Sequence, residues 1–394
     1  MTPSRQWRSL QGVWPFRREI VQKFVDSLDF EYLRRIAEAT RGNSAFSAKV
    51  HKHPFSAGRE RLVFQIEFSD GTLWVARVTL PPLPAAQDDP RLLPCPDAAV
   101  MLSEVATIRL VSSETSIPVP QIHAHAFQTN PFGAPYMLMD EVAGQFIRPF
   151  PSTPIQDIPH VYSQVAEIVL TLAQVTFAKV GMLTENAAPH NRVVSKCLFH
   201  DLTVGHAFST ATEYYTMRFR RFLTQKKKEV PPDDDWVVFA WLCLQSIPYF
   251  ILIDLDEGPF PLSHPDLNNG NILYDEQNTI VGVIDWTACG TFPWEIAMSP
   301  PLDLVYFDER RTMYIDIFEA KEVEITGTNR FASFMRSPRA RIVNLINENF
   351  EAYGRMFPIQ RALELAMLVF GEDITWGDVK MRYKESEEGQ LAGP

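Results

Sequence analysis

The chain has 394 residues, of which 46% are hydrophobic and 22% are charged, so it is long enough for two lobes or domains with substantial cores. Its 37 basic and 48 acidic residues give a formal net charge of −11, which argues against a general binder of nucleic acid or of an anionic membrane. The four cysteines lie far apart, without the spacing of a zinc site or a disulfide framework, and therefore indicate a reducing compartment.

The first forty residues predict a helical extension, because apolar residues between 16 and 39 recur near one helical face. Arginines precede this pattern at Arg5 and Arg8, but no apolar core accompanies them, which excludes a secretory signal peptide. A cytoplasmic location is the simpler prediction, and a mitochondrial presequence is the alternative.

Residues 44–80 change to the alternating pattern of strands. We predict strands at 46–55, 62–68 and 72–78, with Ser69-Asp70-Gly71 as a hairpin turn between the last two. A proline-rich loop follows at 81–96, and a helix is predicted from about 97 to 112.

The middle of the chain returns to extended structure and then becomes mainly helical. His123 and His125 alternate on an extended segment, but without a third ligand they predict packing or surface positions rather than a metal site. Residues 136–144 predict a buried strand. Helices are expected from about 145 onward, including one over 158–180.

Residues 236–253 are apolar enough to resemble a membrane span. However, Gln245, Ser246 and Pro248 interrupt the run, which also falls short of about 20 residues. A buried core helix is therefore predicted, and no membrane partner.

Residues 263–285 hold three acid or amide side chains at informative spacings. Asp266 and Asn271 are five residues apart in one loop, and Asp285 follows two predicted short strands with a turn between them. Because a hairpin brings its ends together, Asn271 and Asp285 are predicted to lie side by side. The alternative is a polar turn between two buried strands.

Phosphoryl transfer from ATP requires a cluster of this kind. One carboxylate positions the attacking hydroxyl and can accept its proton, while an amide and a second carboxylate hold Mg²⁺ on the phosphates. Asp266 fits the first role, and Asn271 and Asp285 fit the second.

The order His-x-Asp-x-x-x-x-Asn, hairpin, Asp resembles the catalytic and metal-binding segments of protein kinases. The segments HPDLNNGNIL and VIDW are closer to the aminoglycoside phosphotransferase family and its choline-kinase-like relatives, and ordered landmarks extend over about residues 45–310. Pro265 stands where protein kinases usually carry Arg, which removes the usual partner of an activation-loop phosphate.

The resemblance implies a two-lobed, protein-kinase-like α+β fold. It places a helical extension at 1–40, a nucleotide-binding N-lobe with a small antiparallel sheet at 41–141, and a mainly helical C-lobe at 142–394. The sheet is expected to have five strands and one key helix, and the C-lobe is expected to carry the catalytic loop and the substrate pocket.

The resemblance also implies the nucleotide contacts. Arg77 takes the place of the strand lysine that contacts the α- and β-phosphates, and Glu104 on the following helix is its predicted partner. Gly58 lies in a hairpin tip that would cover the phosphates with backbone N–H groups. The backbone of Asp140, Glu141 and Val142 would hydrogen-bond adenine. In the catalytic loop, His264 is predicted together with Asp266 as a catalytic residue, and it is expected to support the loop through a hydrogen bond rather than to take protons.

These assignments predict an ATP- and Mg²⁺-dependent phosphotransferase that moves the γ-phosphoryl group to a hydroxyl of a small molecule. The short segment from Asp285 to Pro293 disfavours a protein substrate, and the acidic charge is compatible with a cationic acceptor. Two alternatives stay open. The first is a catalytically idle binding or scaffold protein. It is favoured by Arg77, by the sparse glycines and by Thr287, which replaces the acid expected after Trp286. A protein kinase is the other.

Overall fold

The computed structural model describes residues 15–42, 46–53, 56–57, 61–81, 98–146, 157–184, 194–199, 202–287, 289–301, 305, 308–351 and 357–390. The chain forms two compact units. The first unit comprises Met1–Pro154 and Asn269–Thr287, and the second comprises Ile155–Asn268 and Ala288–Pro394. The predicted hairpin therefore belongs to the first unit, whereas the lobe boundaries placed after residues 40 and 141 stay predictions.

The described strands are, in chain order, β1 (Ala48–Val50), β2 (Ser56–Ala57), β3 (Arg61–Phe68), β4 (Leu73–Thr79), β5 (Ile122–Ala126), β6 (Tyr136–Asp140), β7 (Thr176–Phe177), β8 (Met182–Leu183), β9 (Val194–Phe199), β10 (Leu202–Val204), β11 (Phe260–Ser263), β12 (Ile272–Tyr274), β13 (Ile280–Val283) and β14 (Gly290–Thr291). The described helices are α1 (Pro15–Asp26), α2 (Phe30–Thr40), α3 (Ala98–Glu114), α4 (Ile158–Ala173), α5 (Ala211–Glu229), α6 (Asp235–Phe250), α7 (Trp294–Ala297), α8 (Asp308–Thr326), α9 (Arg330–Met335), α10 (Pro338–Glu351), α11 (Ile359–Phe370), α12 (Trp376–Glu385) and α13 (Glu387–Gln390).

The first unit is built on an antiparallel sheet of order β1-β3-β4-β6-β5, to which β2 adds by pairing with β3. This confirms the α+β class with an antiparallel N-terminal sheet. The expected count of five strands was wrong, because the two-residue β2 makes a sixth in the described part of the chain. The first predicted strand was also too long, since β1 spans only Ala48–Val50.

The N-terminal residues form two helices rather than the single helical face that the pattern predicted. The helices separate at Asp29, whose carboxylate caps α2 by accepting from the Tyr32 N–H at 2.9 Å. Their apolar residues share one core with the sheet, in which the Phe30 and Phe64 rings lie 5.1 Å apart in an edge-to-face arrangement. The extension is therefore part of the core of the antiparallel sheet.

The β12–β13 hairpin also packs within the first unit, against the chain that leaves β6. The backbones of Gln145 and Tyr274 exchange two hydrogen bonds of 2.8 Å. Two glycines permit this close approach: a Cβ at Gly144 would lie 2.7 Å from Val281 Cγ2, and one at Gly282 would lie 2.6 Å from Val142 Cγ1. Any side chain at these positions would force the hairpin and the segment after β6 apart.

We therefore expect Gly282→Ala to lower the free energy of unfolding by about 1–3 kcal/mol, because the added methyl group overpacks against Val142. Urea denaturation measures the loss. Gly205→Ala is the matched control, since a Cβ there meets nothing within 4 Å. Equal stability of the two variants would contradict the close packing of the hairpin.

The second unit is mainly helical, as predicted, but small sheets interrupt it. The helix expected over 158–180 ends at Ala173, because residues 176–177 form β7, which pairs with β11. Strands β10-β9-β8 form one small sheet and β14-β11-β7 another. Helix α6 is the predicted buried core helix. In the described part of the chain, no helix is long and apolar enough to cross a membrane.

Glu295 in α7 is a carboxylate buried in the second unit, with an exposed fraction of 1%. Its Oε1 accepts from the Leu252 N–H at 2.6 Å, whereas Oε2 has no hydrogen-bond partner in the described part of the chain. Burial raises its pKa from 4.5 to about 7. The folded chain therefore holds a proton that the unfolded chain releases near pH 4.5.

It follows that Glu295 makes the protein less stable as the pH rises from about 4.5 to about 7. At 1.36 kcal/mol per pKa unit the loss is roughly 3 kcal/mol, which Glu295→Gln should abolish because an amide does not ionise. Urea denaturation at pH 5 and pH 7.5 checks this, with Glu309→Gln on the exposed part of α8 as control. An unchanged pH slope in Glu295→Gln would show that another group titrates.

Candidate active site

The β12–β13 hairpin places Asn271 and Asp285 at its two ends. Ile272 pairs with Val283, and the Ile284 N–H donates to the Asn271 carbonyl at 2.9 Å, so the predicted adjacency of the two ends is confirmed. Asn271 is buried. Asp285 leaves the hairpin with a φ of 62°, a left-handed conformation that is rare for a non-glycine residue and that Asp tolerates better than most. Such backbone outliers cluster at functional sites.

The turn of this hairpin is held locally. The Asp275 carboxylate accepts from the backbone N–H groups of Gln277 and Thr279 at 2.9 and 2.8 Å. Asn278 supplies the positive φ of 60° that the turn requires. The sequence between the two candidate metal ligands therefore encodes its own geometry.

Arg77 on β4 joins Glu104 on α3 to Asp285. One guanidinium nitrogen, Nη1, donates to Glu104 Oε1, and the other, Nη2, donates to Asp285 Oδ1. The predicted partnership of Arg77 with Glu104 is therefore confirmed as a contact. The bridge to Asp285 was not predicted. It uses the planar fork of arginine, which a lysine ammonium does not have.

This ion-pair cluster is largely withdrawn from water. The side chain of Glu104 is 1% exposed and that of Arg77 is 13% exposed, whereas that of Asp285 is 44% exposed. Burial acts to lower the pKa of the Arg77 guanidinium, but the charges of Glu104 and Asp285 outweigh it and raise the pKa. Arg77 is therefore a permanent cation at the end of the hairpin.

Thr287 is the residue that the sequence interpretation missed, because it noted this position only for its missing acid. Its Oγ1 lies 2.8 Å from Asp285 Oδ1, 3.1 Å from Glu104 Oε2 and 3.3 Å from Arg77 Nη2. A hydroxyl two residues after an aspartate has no signature of its own, so this contact could be found only from the structure.

The three residues whose backbone is predicted to bind adenine differ in whether their N–H group already donates a hydrogen bond. The Asp140 N–H donates to the Gln121 carbonyl, and the Glu141 N–H donates to the Leu73 carbonyl. Within the described residues, the Val142 N–H donates to no other group. Val142 is therefore the one of the three whose N–H is available for a ligand.

The side chains around this segment are held in place. His123 Nε2 lies 2.7 Å from Asp140 Oδ1, and the His123 ring stacks on Trp74 at 3.8 Å, a packing role as predicted. Burial is the largest influence on the pKa of Asp140 and acts to raise it, but the hydrogen bond and charge of His123, together with the Gln121 N–H, outweigh burial and lower the pKa. Burial raises the pKa of Glu141, whose carboxylate accepts from the Gln65 amide.

Asp266 and His264 lie in the second unit, in the turn that follows β11. The His264 carbonyl accepts from the Leu267 N–H at 3.2 Å, and the His264 side chain is buried. Asp266 is exposed and accepts from the Asn268 amide at 2.6 Å. Their catalytic and supporting roles stay predictions. Gly58, predicted to cover the phosphates, lies outside the described residues.

Asn271 and Asp285 suit Mg²⁺ in kind and number. Both offer oxygen ligands, and Mg²⁺ usually binds one or two carboxylates together with substrate phosphates rather than a cage of protein ligands alone. In the described part of the chain, no group of three or more His, Cys, Asp or Glu side chains could hold a metal ion. The donors present therefore fit a metal ion that binds together with phosphates.

Comparison with known proteins identifies related chains. The model of the phosphotransferase enzyme family matches residues 53–294. The Clavilactone A biosynthesis cluster protein Y of Ampulloclitocybe clavipes is 25% identical over 260 residues, which are 63% of this chain. The chain spans 62% of the length of that curated relative.

Solved structures share the fold at low sequence identity. A Ralstonia eutropha protein described as an aminoglycoside phosphotransferase has a TM-score of 0.52 at 13% identity, over 90% of this chain and 99% of its own. An ethanolamine kinase of Plasmodium vivax has a TM-score of 0.50 at 12% identity, over 100% of this chain and 98% of its own. These similarities confirm the kinase-like fold class.

Proposed function

Because the chain belongs to the phosphotransferase enzyme family, we propose that it transfers the γ-phosphoryl group of ATP to a hydroxyl of a small molecule. The observation that carries the proposal is the bridge from Arg77 to both Glu104 and Asp285. The bridge brings the Arg77 guanidinium of the sheet and the Asp285 carboxylate at the end of the hairpin to one place. This supports the proposal, because phosphoryl transfer requires a cation and a metal-binding carboxylate near the phosphates.

In this proposal the first unit binds the nucleotide. The Val142 N–H hydrogen-bonds adenine, and Arg77 binds phosphate oxygens while Glu104 holds its guanidinium in place. Asn271 and Asp285 hold Mg²⁺, which, when bound, neutralises charge that develops on the phosphates. No covalent intermediate with the protein is needed, because positioning and charge stabilisation suffice for this chemistry.

Asp266 is proposed to orient the acceptor hydroxyl and to accept its proton. Its exposed carboxylate can reach a ligand in solution, and a carboxylate is an acceptor when ionised. His264 is proposed to support the turn rather than to transfer protons, since it is buried.

The acceptor is proposed to be a hydroxylated small molecule. The related protein of Ampulloclitocybe clavipes carries the name of a biosynthesis cluster, which supports a metabolite rather than a protein as acceptor. The net charge of −11 is compatible with a cationic acceptor, such as an amino alcohol or amino sugar.

Thermal melting tests the nucleotide site directly. We expect ATP and Mg²⁺ together to raise Tm, each alone to raise it less, and Asp285→Asn to lose the joint effect. At one hundred times Kd the stabilisation is about 2.7 kcal/mol, so millimolar ligand suffices for a micromolar site. A screen of hydroxylated acceptors for ADP release then tests transfer.

The same experiment distinguishes the proposed phosphotransferase from a catalytically idle protein. A shift with ATP alone that Asp285→Asn leaves intact would indicate nucleotide binding without a metal site. No shift at millimolar nucleotide would contradict the proposal and favour the scaffold. A joint shift with no acceptor in a broad screen would leave ATP binding as the function.

A further inference from the structure

Asp285 is held by two donors that reach the same carboxylate oxygen. Arg77 Nη2 donates to Oδ1, and the Thr287 hydroxyl lies 2.8 Å from Oδ1. These two hydrogen bonds restrict the rotation of a carboxylate whose side chain is 44% exposed.

The Thr287 hydroxyl has one proton and two carboxylates within reach. Ionised carboxylates only accept hydrogen bonds, so the hydroxyl can donate to Asp285 or to Glu104, at 2.8 or 3.1 Å, but not to both. The shorter distance favours Asp285. The hydroxyl oxygen can at the same time accept from Arg77 at 3.3 Å.

The charges around Thr287 explain why a hydroxyl suits this position. Two arginines, Arg77 and Arg61, face two carboxylates, with Arg61 Nη2 at 3.6 Å from Glu104 Oε2. The four charges balance. An acidic side chain at position 287 would add an unbalanced negative charge beside Glu104, which is 1% exposed.

We propose that Thr287 is a positioning residue that orients the Asp285 carboxylate for a divalent cation. The inference rests on the metal role that the proposed function assigns to Asp285. Residues that hydrogen-bond a metal-ligating carboxylate without touching the metal fix its orientation, and their loss typically costs 10- to 100-fold in metal affinity. Arg77, which donates to both Glu104 and Asp285, links α3 to the same end of the hairpin.

Direct metal binding tests this inference without any acceptor. Mn²⁺ is the probe, because it prefers the same oxygen ligands and is visible by electron paramagnetic resonance. Its Kd is measured on the full chain with and without a non-hydrolysable ATP analogue. Thr287→Val keeps the branched shape and removes the hydroxyl, and should raise the Kd for Mn²⁺ about 10- to 100-fold. Thr287→Ser keeps the hydroxyl and should bind Mn²⁺ with close to the wild-type Kd.

Thr312→Val on the exposed part of α8 is the matched control, because its hydroxyl donates locally, to the Asp308 carbonyl one helical turn away. Melting without ligand shows whether each variant is folded, and Thr287→Ala replaces Thr287→Val if the valine does not fit. Wild-type affinity in Thr287→Val, or equal losses in the valine and serine variants, would overturn the inference. Absence of Mn²⁺ binding in the wild type would also overturn it, together with the metal role of Asp285.

The proposed transfer reaction can fail independently. If the variants bind Mn²⁺ as expected but no acceptor is phosphorylated, Thr287 still orients a metal-binding carboxylate, and only the transfer reaction is wrong.

Discussion

Asp266→Asn should lower kcat for phosphoryl transfer by roughly 10²- to 10⁴-fold, the usual contribution of a positioned general base. The amide keeps the shape of the side chain but cannot accept the proton of the acceptor hydroxyl. Because Asp266 is exposed, the free energy of unfolding should change by less than about 0.5 kcal/mol. ADP release with an acceptor from the screen measures kcat, and melting with ATP and Mg²⁺ measures nucleotide binding.

The comparison with Glu276→Gln makes this result specific. Glu276 is an exposed acid in the hairpin turn, so its replacement removes the same charge without touching the proposed base. We expect full activity in Glu276→Gln, and in Asp266→Asn normal nucleotide binding with little transfer. Retained turnover in Asp266→Asn would remove Asp266 as the base, and joint loss of binding and turnover would show a structural role instead.

Arg77→Met should destabilise the folded protein strongly. It removes the cation from Glu104, whose side chain is 1% exposed, and a buried charge without its partner typically costs about 3–5 kcal/mol. Arg61 at 3.6 Å from Glu104 offsets part of that cost, so the lower end of the range is expected. For a chain of 394 residues a loss of about 1 kcal/mol lowers Tm by about 1 °C, so Tm should fall by roughly 4 °C. The response of Tm to nucleotide should also be lost.

Two further variants separate charge from geometry. Arg77→Lys keeps the charge but has one ammonium in place of a planar fork, so it cannot bridge Glu104 and Asp285 in the same way and should be intermediate in stability. In the double variant Arg77→Met with Glu104→Gln the buried carboxylate is gone, and the loss should be smaller than in Arg77→Met alone. Equal losses in the single and double variants would show that the cost is packing and not the uncompensated charge.

Much of the active-site region could be predicted because its geometry is local. The spacing of Asn271 and Asp285 spans two short strands and one turn, and the Asp275 carboxylate and the left-handed Asn278 shape that turn. Such a hairpin encodes its own register, so the adjacency of its ends followed from the sequence. The pairing of Arg77 with Glu104 was predicted differently, from the order of sequence segments in the family that the sequence resembles.

The local sequence pattern predicted the wrong boundaries for helices whose ends depend on contacts with other parts of the fold. The helical face over residues 16–39 is divided at Asp29, where a cap starts α2. The helix expected to reach 180 stops at Ala173, because pairing of β7 with β11 competes with helix propensity. In both places apolar periodicity was present, but hydrogen bonding to a cap or to a distant strand decided the boundary.

The sequence by itself determined the α+β class, the hairpin, and the adjacency of Asn271 and Asp285 at its ends, since these depend on near neighbours and on periodicity. Only the tertiary structure decided that Thr287 lies 3.1 Å from Glu104, which is 183 positions away. Among the described residues, it also decided that the N–H groups of Asp140 and Glu141 have backbone acceptors whereas that of Val142 has none. The sequence shows that a hydroxyl or a backbone N–H is present, but it does not show which acceptor the group will meet. Its role depends on which distant groups folding brings within about 3 Å, and the packing of the whole unit sets that distance.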